Sequence, residues 1–189
     1  MQRFDLGPAT EQLSRLVAGV RDEQLGLPTP CVDWPVAELL AHIHQFSTVF
    51  TQNARKEPVW PPDDLVAGWR QAIPEQLAEM ARAWRQDAAW HGTVSAGGVT
   101  MDAANNALVG IEELTVHGWD LAVATGQPFE VGDTTLEEVD RFFTLFPPRD
   151  GAGGPFGPPL TPPPQATRLE RTIALTGRDP HWGEPQHTS

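Results

Sequence analysis

A chain of 189 residues with 40% hydrophobic and 20% charged residues can bury one core, and its net charge of −12 argues against nucleic acid and anionic membrane surfaces as partners. A single cysteine, Cys31, rules out an internal disulfide and any multi-cysteine zinc site, and it permits a reducing compartment. No stretch reaches the ~18 to 20 apolar residues of a membrane span, and MQRFDLGPATEQL lacks an apolar signal core, so the expectation is a soluble, cytoplasmic protein.

The predicted elements are helical. Leu13, Leu16, Val17 and Val20 recur at spacings of three and four, which predicts an amphipathic helix from about Pro8 to Leu25. Pro28 and Pro30 end it. Pro35 lies in the first turn of a second helix, which runs to about Arg55 with Leu39, Ile43, Phe46 and Phe50 on one stripe. A third helix is expected from Asp63 to about Arg85, kinked or split by Pro74. GTVSAGGV, Gly92 to Val99, reads as a turn or short extended excursion. The fourth helix spans about Met101 to Ala124 and stops at Gly126, and a shorter one runs from Thr134 or Thr135 to Leu145. Between Pro147 and Pro164 twelve of eighteen residues are Pro or Gly, which no regular element tolerates. A last helix, roughly Gln165 to Leu175, precedes Gly177 and a polar tail. The fold class is therefore all-α, a bundle of four main helices over residues 1–146 with a Pro/Gly-rich appendage and one short helix over residues 147–189. An irregular helical array is the alternative, since periodicity leaves packing order open.

Six histidines raise the question of which face inward. On a wheel of about 100° per residue centred on Ile43, His42 falls roughly 70° from the apolar stripe and His44 roughly 130° away on the other side. On the fourth helix, centred on Leu114, His117 lies about 60° off and Glu113 about 100° off on the same flank, one turn apart. Asp120 extends that row, while Glu112 points the other way. A carboxylate and an imidazole so stacked form half of a metal site, which an inward histidine from a facing helix could complete. Two histidines and one glutamate leave a fourth position for water or substrate, the arrangement of catalytic zinc. The bland alternative is a solvated Glu–His pair. His44, His91, His181 and His187 are expected at the surface, and Cys31 as a small buried hydrophobe. Trp34, Trp60, Trp69, Trp84, Trp90 and Trp119 are expected in the core or as pocket wall, with Trp34 or Trp119 beside the site. Dinucleotide, Walker, GxSxG and CxxC motifs are missing.

Three stretches carry a family resemblance. TPCVDWPVAELLAHIHQF, residues 29–46, resembles the TPC-x-x-W-(T/S)-V-x-x-L-x-x-H opening of the family related to mycothiol-dependent maleylpyruvate isomerase. ELTVHGWDLAVATGQP, residues 113–128, is similar to its second signature, E-x-x-x-H-x-W-D-x-A-x-A-T-G, and LTGRDPHW, residues 175–182, to the ending of its short actinobacterial members. The resemblance implies a DinB-like four-helix bundle with a divalent metal, usually zinc, held by His42, Glu113 and His117. Asp120 would orient a ligand histidine or close a helix-end hydrogen bond. It further implies an enzyme that activates a small thiol, mycothiol by resemblance, for transfer to or isomerisation of an electrophile. Two other readings stay open: a metal- or ligand-binding bundle without turnover, and a biosynthetic enzyme that reuses the fold without thiol. Pro35 stands where the family has Thr or Ser, and residues 147–189 stand where the characterised isomerase has a sizeable second domain.

Overall fold

Periodic apolar faces produce four long helices that enclose the core. The computed structural model describes residues 3–96, 98–148 and 156–183. Helices α1 (Gly7–Gly19), α2 (Val36–Arg55), α3 (Trp69–Trp84) and α4 (Ala103–Thr125) form the bundle, α5 (Asp133–Leu145) packs on α4, and α6 (Arg168–Leu175) packs on α5. α1 touches α3 and α4, and α2 touches the same two, so α1 lies diagonally from α2. Leu13 and Val17, Leu39 and Ile43, Ile73 and Leu77, and Ala107, Ile111 and Leu114 are the buried stripes that meet at the centre. The chain is an all-α bundle, as the apolar spacing predicts, and it is DinB-like, as the resemblance implies.

The boundaries differ from those predicted in instructive ways. α1 ends at Gly19 rather than near Leu25, because Val20 is extended and its carbonyl is taken by the Arg70 guanidinium at 3.0 Å; a short 3-10 turn, Asp22–Gln24, follows. α3 begins at Trp69, not Asp63, since Gly68 takes a left-handed conformation (φ 77°) that sets the turn into the helix. Pro74 neither splits α3 nor ends it. The expected excursion is a hairpin of β1 (Thr93–Ala96) and β2 (Val99–Asp102), paired antiparallel with Val94 opposite Met101. α4 stops at Gly126 (φ 69°), as predicted from glycine's freedom in the left-handed region. α6 begins three residues later than expected because Thr167 and Glu170 form a reciprocal cap.

Pro35 has no side-chain oxygen to cap α2, and the backbone replaces it. The N–H of Val36 donates to Leu27 O at 3.0 Å, and that of Ala37 to Leu25 O at 2.9 Å, satisfying the first two free donors of the helix. No helix among the described residues is long and apolar enough to cross a membrane. The predicted Pro/Gly segment is described only at 147–148 and from Phe156 onward, and residues 184–189, with His187, lie outside the described part.

Candidate metal centre

α2 and α4 are adjacent, and their facing flanks bring three predicted side chains to one point. His42 Nε2 and His117 Nε2 each lie 3.2 Å from the same oxygen, Oε2 of Glu113. Two donors bound to one zinc at ~2.0–2.1 Å in tetrahedral geometry stand about 3.3 Å apart, so these separations suit a shared cation. The imidazole rings meet edge to face at a centroid distance of 4.8 Å. His42 and Glu113 are about one-quarter exposed in their side chains and His117 about one-tenth, so the cluster lies at the base of a partly open corner. Among the described residues, the group that unites His42 with Glu113 contains three donors, which leaves room for a further ligand.

The electrostatics favour a cation between these atoms. Burial by itself would lower the basicity of His117, but hydrogen bonds to Asp120 and Glu113 outweigh it and raise its pKa to about 9. Burial would likewise push the Glu113 carboxyl up, yet the hydrogen bonds from His117 and His42, and then their charges, pull it well below the carboxylate range. In the metal-free chain a proton on His117 supplies positive charge that a metal would otherwise bring.

Asp120 is fully buried and binds His117 Nδ1 through Oδ2 at 2.9 Å. This contact selects Nδ1 as the protonated nitrogen and directs Nε2 at Glu113, the usual arrangement around a ligand histidine. Arg178 grips the same carboxylate from the other side, Nε to Oδ1 at 2.7 Å and Nη2 to Oδ2 at 2.9 Å. Sequence reasoning missed Arg178: it lies 58 residues from Asp120 across the Pro/Gly segment, with no periodic pattern linking them. Cys31, His117 and Asp120 also bring donor atoms within 4.8 Å of one another. Arg178 already supplies a positive charge to that corner. The Cys31 thiol is half-buried there, and burial first, then the Asp120 charge, push its pKa up to about 11 against the opposing pull of Arg178.

The motif loop before α2 builds the wall. Thr29 Oγ1 donates toward the carbonyls of Trp34, at 2.8 Å, and Cys31, at 3.1 Å, and accepts from the N–H of Cys31 at 3.2 Å. Asp33 takes a positive φ of 69°, and Pro28 bridges Pro35. The result sets Trp34 against His42 at 4.8 Å and stacks it on His117 at 6.1 Å; Phe46 closes the other side, 5.5 Å from His42 and 6.2 Å from His117. Trp119 is buried.

Other expectations are corrected. Glu112, which the wheel turns away from Glu113, is 3% exposed, and burial, reinforced by the Glu113 charge, pushes its carboxyl well up. His44 is half-buried rather than a surface residue, whereas His91 and His181 are exposed as expected. Trp60 is 80% exposed, neither core nor wall, while Trp69, Trp84 and Trp90 are core. Two surface clefts, against Phe4, Trp84 and Trp90 and against His44, Gln76 and Arg82, contain none of the converging donors.

A four-helix bundle with an inward His/Glu/His cluster is an arrangement in which helical domains build metal sites. The chain belongs to the family of the mycothiol maleylpyruvate isomerase N-terminal domain, whose model matches residues 6–122 and so spans His42, Glu113, His117 and Asp120. It is 27% identical over 176 residues to uncharacterized proteins from two strains of Mycobacterium tuberculosis, CDC 1551 / Oshkosh and ATCC 25618 / H37Rv, covering 90% of this chain and 93% of each relative. No solved structure matches the chain.

Proposed function

We propose that the chain is a metal-dependent enzyme that activates a low-molecular-weight thiol, mycothiol or a close analogue, for transfer to or isomerisation of a small electrophile. The observation that carries this reading is the convergence of His42 Nε2 and His117 Nε2 on one oxygen of Glu113, with a wall of Trp34 and Phe46 beside an open fourth direction. His42, Glu113 and His117 are the proposed ligands, and zinc suits their mixed nitrogen and oxygen donors. A divalent cation held there lowers the pKa of a bound thiol, so that a thiolate exists at neutral pH.

The chain's own residues set the charge that this site accepts. Burial pushes the Glu112 carboxyl well up and the Cys31 thiol up to about 11, hydrogen bonds from His117 and His42 hold Glu113 below the carboxylate range, and Arg178 pairs with Asp120. Trp34 and Phe46 keep water from two sides of the incoming sulfur, and Asp120 holds the Nδ1 proton of His117 away from it. In the transfer reaction the thiol proton leaves to solvent, a carbon–sulfur bond forms at the electrophilic carbon, and the displaced group or enolate takes the electron pair. The cytoplasm, where such thiols are kept reduced, is the compartment that this chemistry requires.

The test is a thiol–electrophile assay with zinc-loaded protein, using mycothiol and cysteine against an aryl halide and a cis-enedione acid. Adduct or isomer formation that needs both metal and thiol, and that disappears in Glu113→Gln, supports the proposal. Zinc-loaded protein that turns over no thiol pair, and whose cobalt(II) form gains no sulfur-to-metal charge-transfer band when thiol is added, refutes it and favours a metal-binding bundle without turnover.

A further inference from the structure

The appendage beyond the bundle makes a contact that neither the family match nor the ligand geometry requires. Arg178 is 9% exposed in its side chain, Asp120 is 0% exposed, and the two share a two-point ion pair. Three features of the appendage hold Arg178 at this depth. Gly177 has φ 76°, and a Cβ there would stand 2.8 Å from the Cα and carbonyl carbon of Gly157 and 2.9 Å from the carbonyl oxygen of Pro158. The Leu160 N–H donates to Ala174 O at 2.9 Å, which fastens the proline-rich segment around it to α6. Arg168 binds Asp140 on α5 with Nε at 2.9 Å and Nη2 at 2.6 Å, which fastens α6 to the bundle. The backbone of Gly157 and Pro158 is thus the surface against which the turn after α6 packs, directly before Arg178.

We propose that Arg178 is a positioning residue for the ligand His117, acting through Asp120, so that docking of residues 156–183 and cation binding at His42, Glu113 and His117 favour each other. The geometry explains how. An Asp120 carboxylate bound only to His117 could turn about its own axis, and the imidazole would turn with it. The planar guanidinium fork removes that freedom, because only one orientation of the carboxylate meets both of its arms and the His117 N–H together. The same fork gives the buried Asp120 a permanent positive partner, which a carboxylate removed from water needs. With Nδ1 so held, Nε2 faces Glu113 before any cation arrives. Coupling of this kind is reciprocal: if a docked appendage strengthens cation binding, a bound cation must strengthen docking by the same factor.

The inference rests on the metal reading, and its test separates the two. Zinc affinity is measured by competition with a chromophoric chelator for wild type, Arg178→Met, Arg178→Lys, Asp120→Asn and the Arg178→Met/Asp120→Asn double variant. The cobalt(II) visible spectrum and the hydrogen exchange of α6 are recorded for each. Arg178→Met should bind zinc about 10- to 100-fold more weakly, the usual loss when an outer partner of a ligand is removed. Arg178→Lys should recover part of this loss, because it restores the charge without the fork. The double variant should be no weaker than Asp120→Asn alone, since both changes cut one chain of contacts. The cobalt spectrum should shift in Arg178→Met, and zinc should slow α6 exchange in wild type but not in that variant. A folded Arg178→Met chain with wild-type affinity and cobalt spectrum overturns the proposal. Should that variant fail to fold, a folded Arg178→Lys chain with wild-type affinity and spectrum overturns it equally. Wild type that takes up no zinc removes the metal reading and this inference with it, whereas zinc binding without thiol turnover leaves this inference standing.

Discussion

Raising the pH from about 7.5 to 9 perturbs the site through one nitrogen. His117 carries its proton up to about pH 9 because Asp120 and Glu113 both bond to it, in spite of burial that works the other way. A metal needs the lone pair of Nε2, so it must displace that proton, whereas Glu113 is already ionised and releases none. The apparent zinc affinity should therefore rise about tenfold per pH unit, or ~1.4 kcal/mol, and level off above about pH 9. Stability without metal must show the opposite trend. The folded pKa lies above the ordinary value of 6.5, so the stabilisation is complete below about pH 6.5 and is lost as pH rises through about 9. A rise from 6.5 to about 9 corresponds to roughly 3 kcal/mol. The assay is chelator competition at a series of pH values, paired with urea unfolding of the chelator-treated and zinc-loaded chains. Affinity that is flat over this range, together with metal-free stability that is equally flat, would refute the assignment of His117 as a protonated ligand.

Three further outcomes follow from the same contacts. Gly177→Ala meets the backbone of Gly157 and Pro158 at a left-handed position, so it should loosen α6 and weaken zinc binding in the direction of Arg178→Met, read by hydrogen exchange and chelator competition. Thr29→Val removes the hydroxyl that ties the loop to Cys31 and Trp34, and it should cost about 1–3 kcal/mol by urea unfolding, with altered Trp34 fluorescence. Cys31, with its pKa at about 11, should be alkylated slowly at pH 8, where only about one thiol in a thousand is ionised, and Cys31→Ser should keep zinc affinity within about threefold; fast alkylation or lost affinity would make Cys31 a ligand or nucleophile.

Local periodicity carries the parts of this site that lie on one helix face. The stripe of Leu39, Ile43, Phe46 and Phe50 sets the flank on which His42 sits, and the four-residue step from Glu113 to His117 stacks two donors whatever the rest of the chain does. Contacts made across the fold are absent from such patterns. A wheel shows only one helix, so it turns Glu112 away from Glu113 without showing that other elements bury it, and Arg178 is nearly buried just beyond α6, where the backbone of Gly157 meets that of Gly177. The end of α1 and the start of α3 differ from the apolar pattern for a related reason. Apolar spacing continues past Gly19 and begins before Gly68, but the Arg70 contact to Val20 and the left-handed turn at Gly68 decide where helix geometry is kept.

The central claim, that three side chains from two helices grip one divalent cation, is tested most directly by elemental analysis of the purified chain beside Glu113→Gln and His117→Ala after identical zinc loading and gel filtration. The account predicts one equivalent of metal per wild-type chain and little or none in either variant, with all three folded by circular dichroism. Equal metal in all three preparations would contradict it.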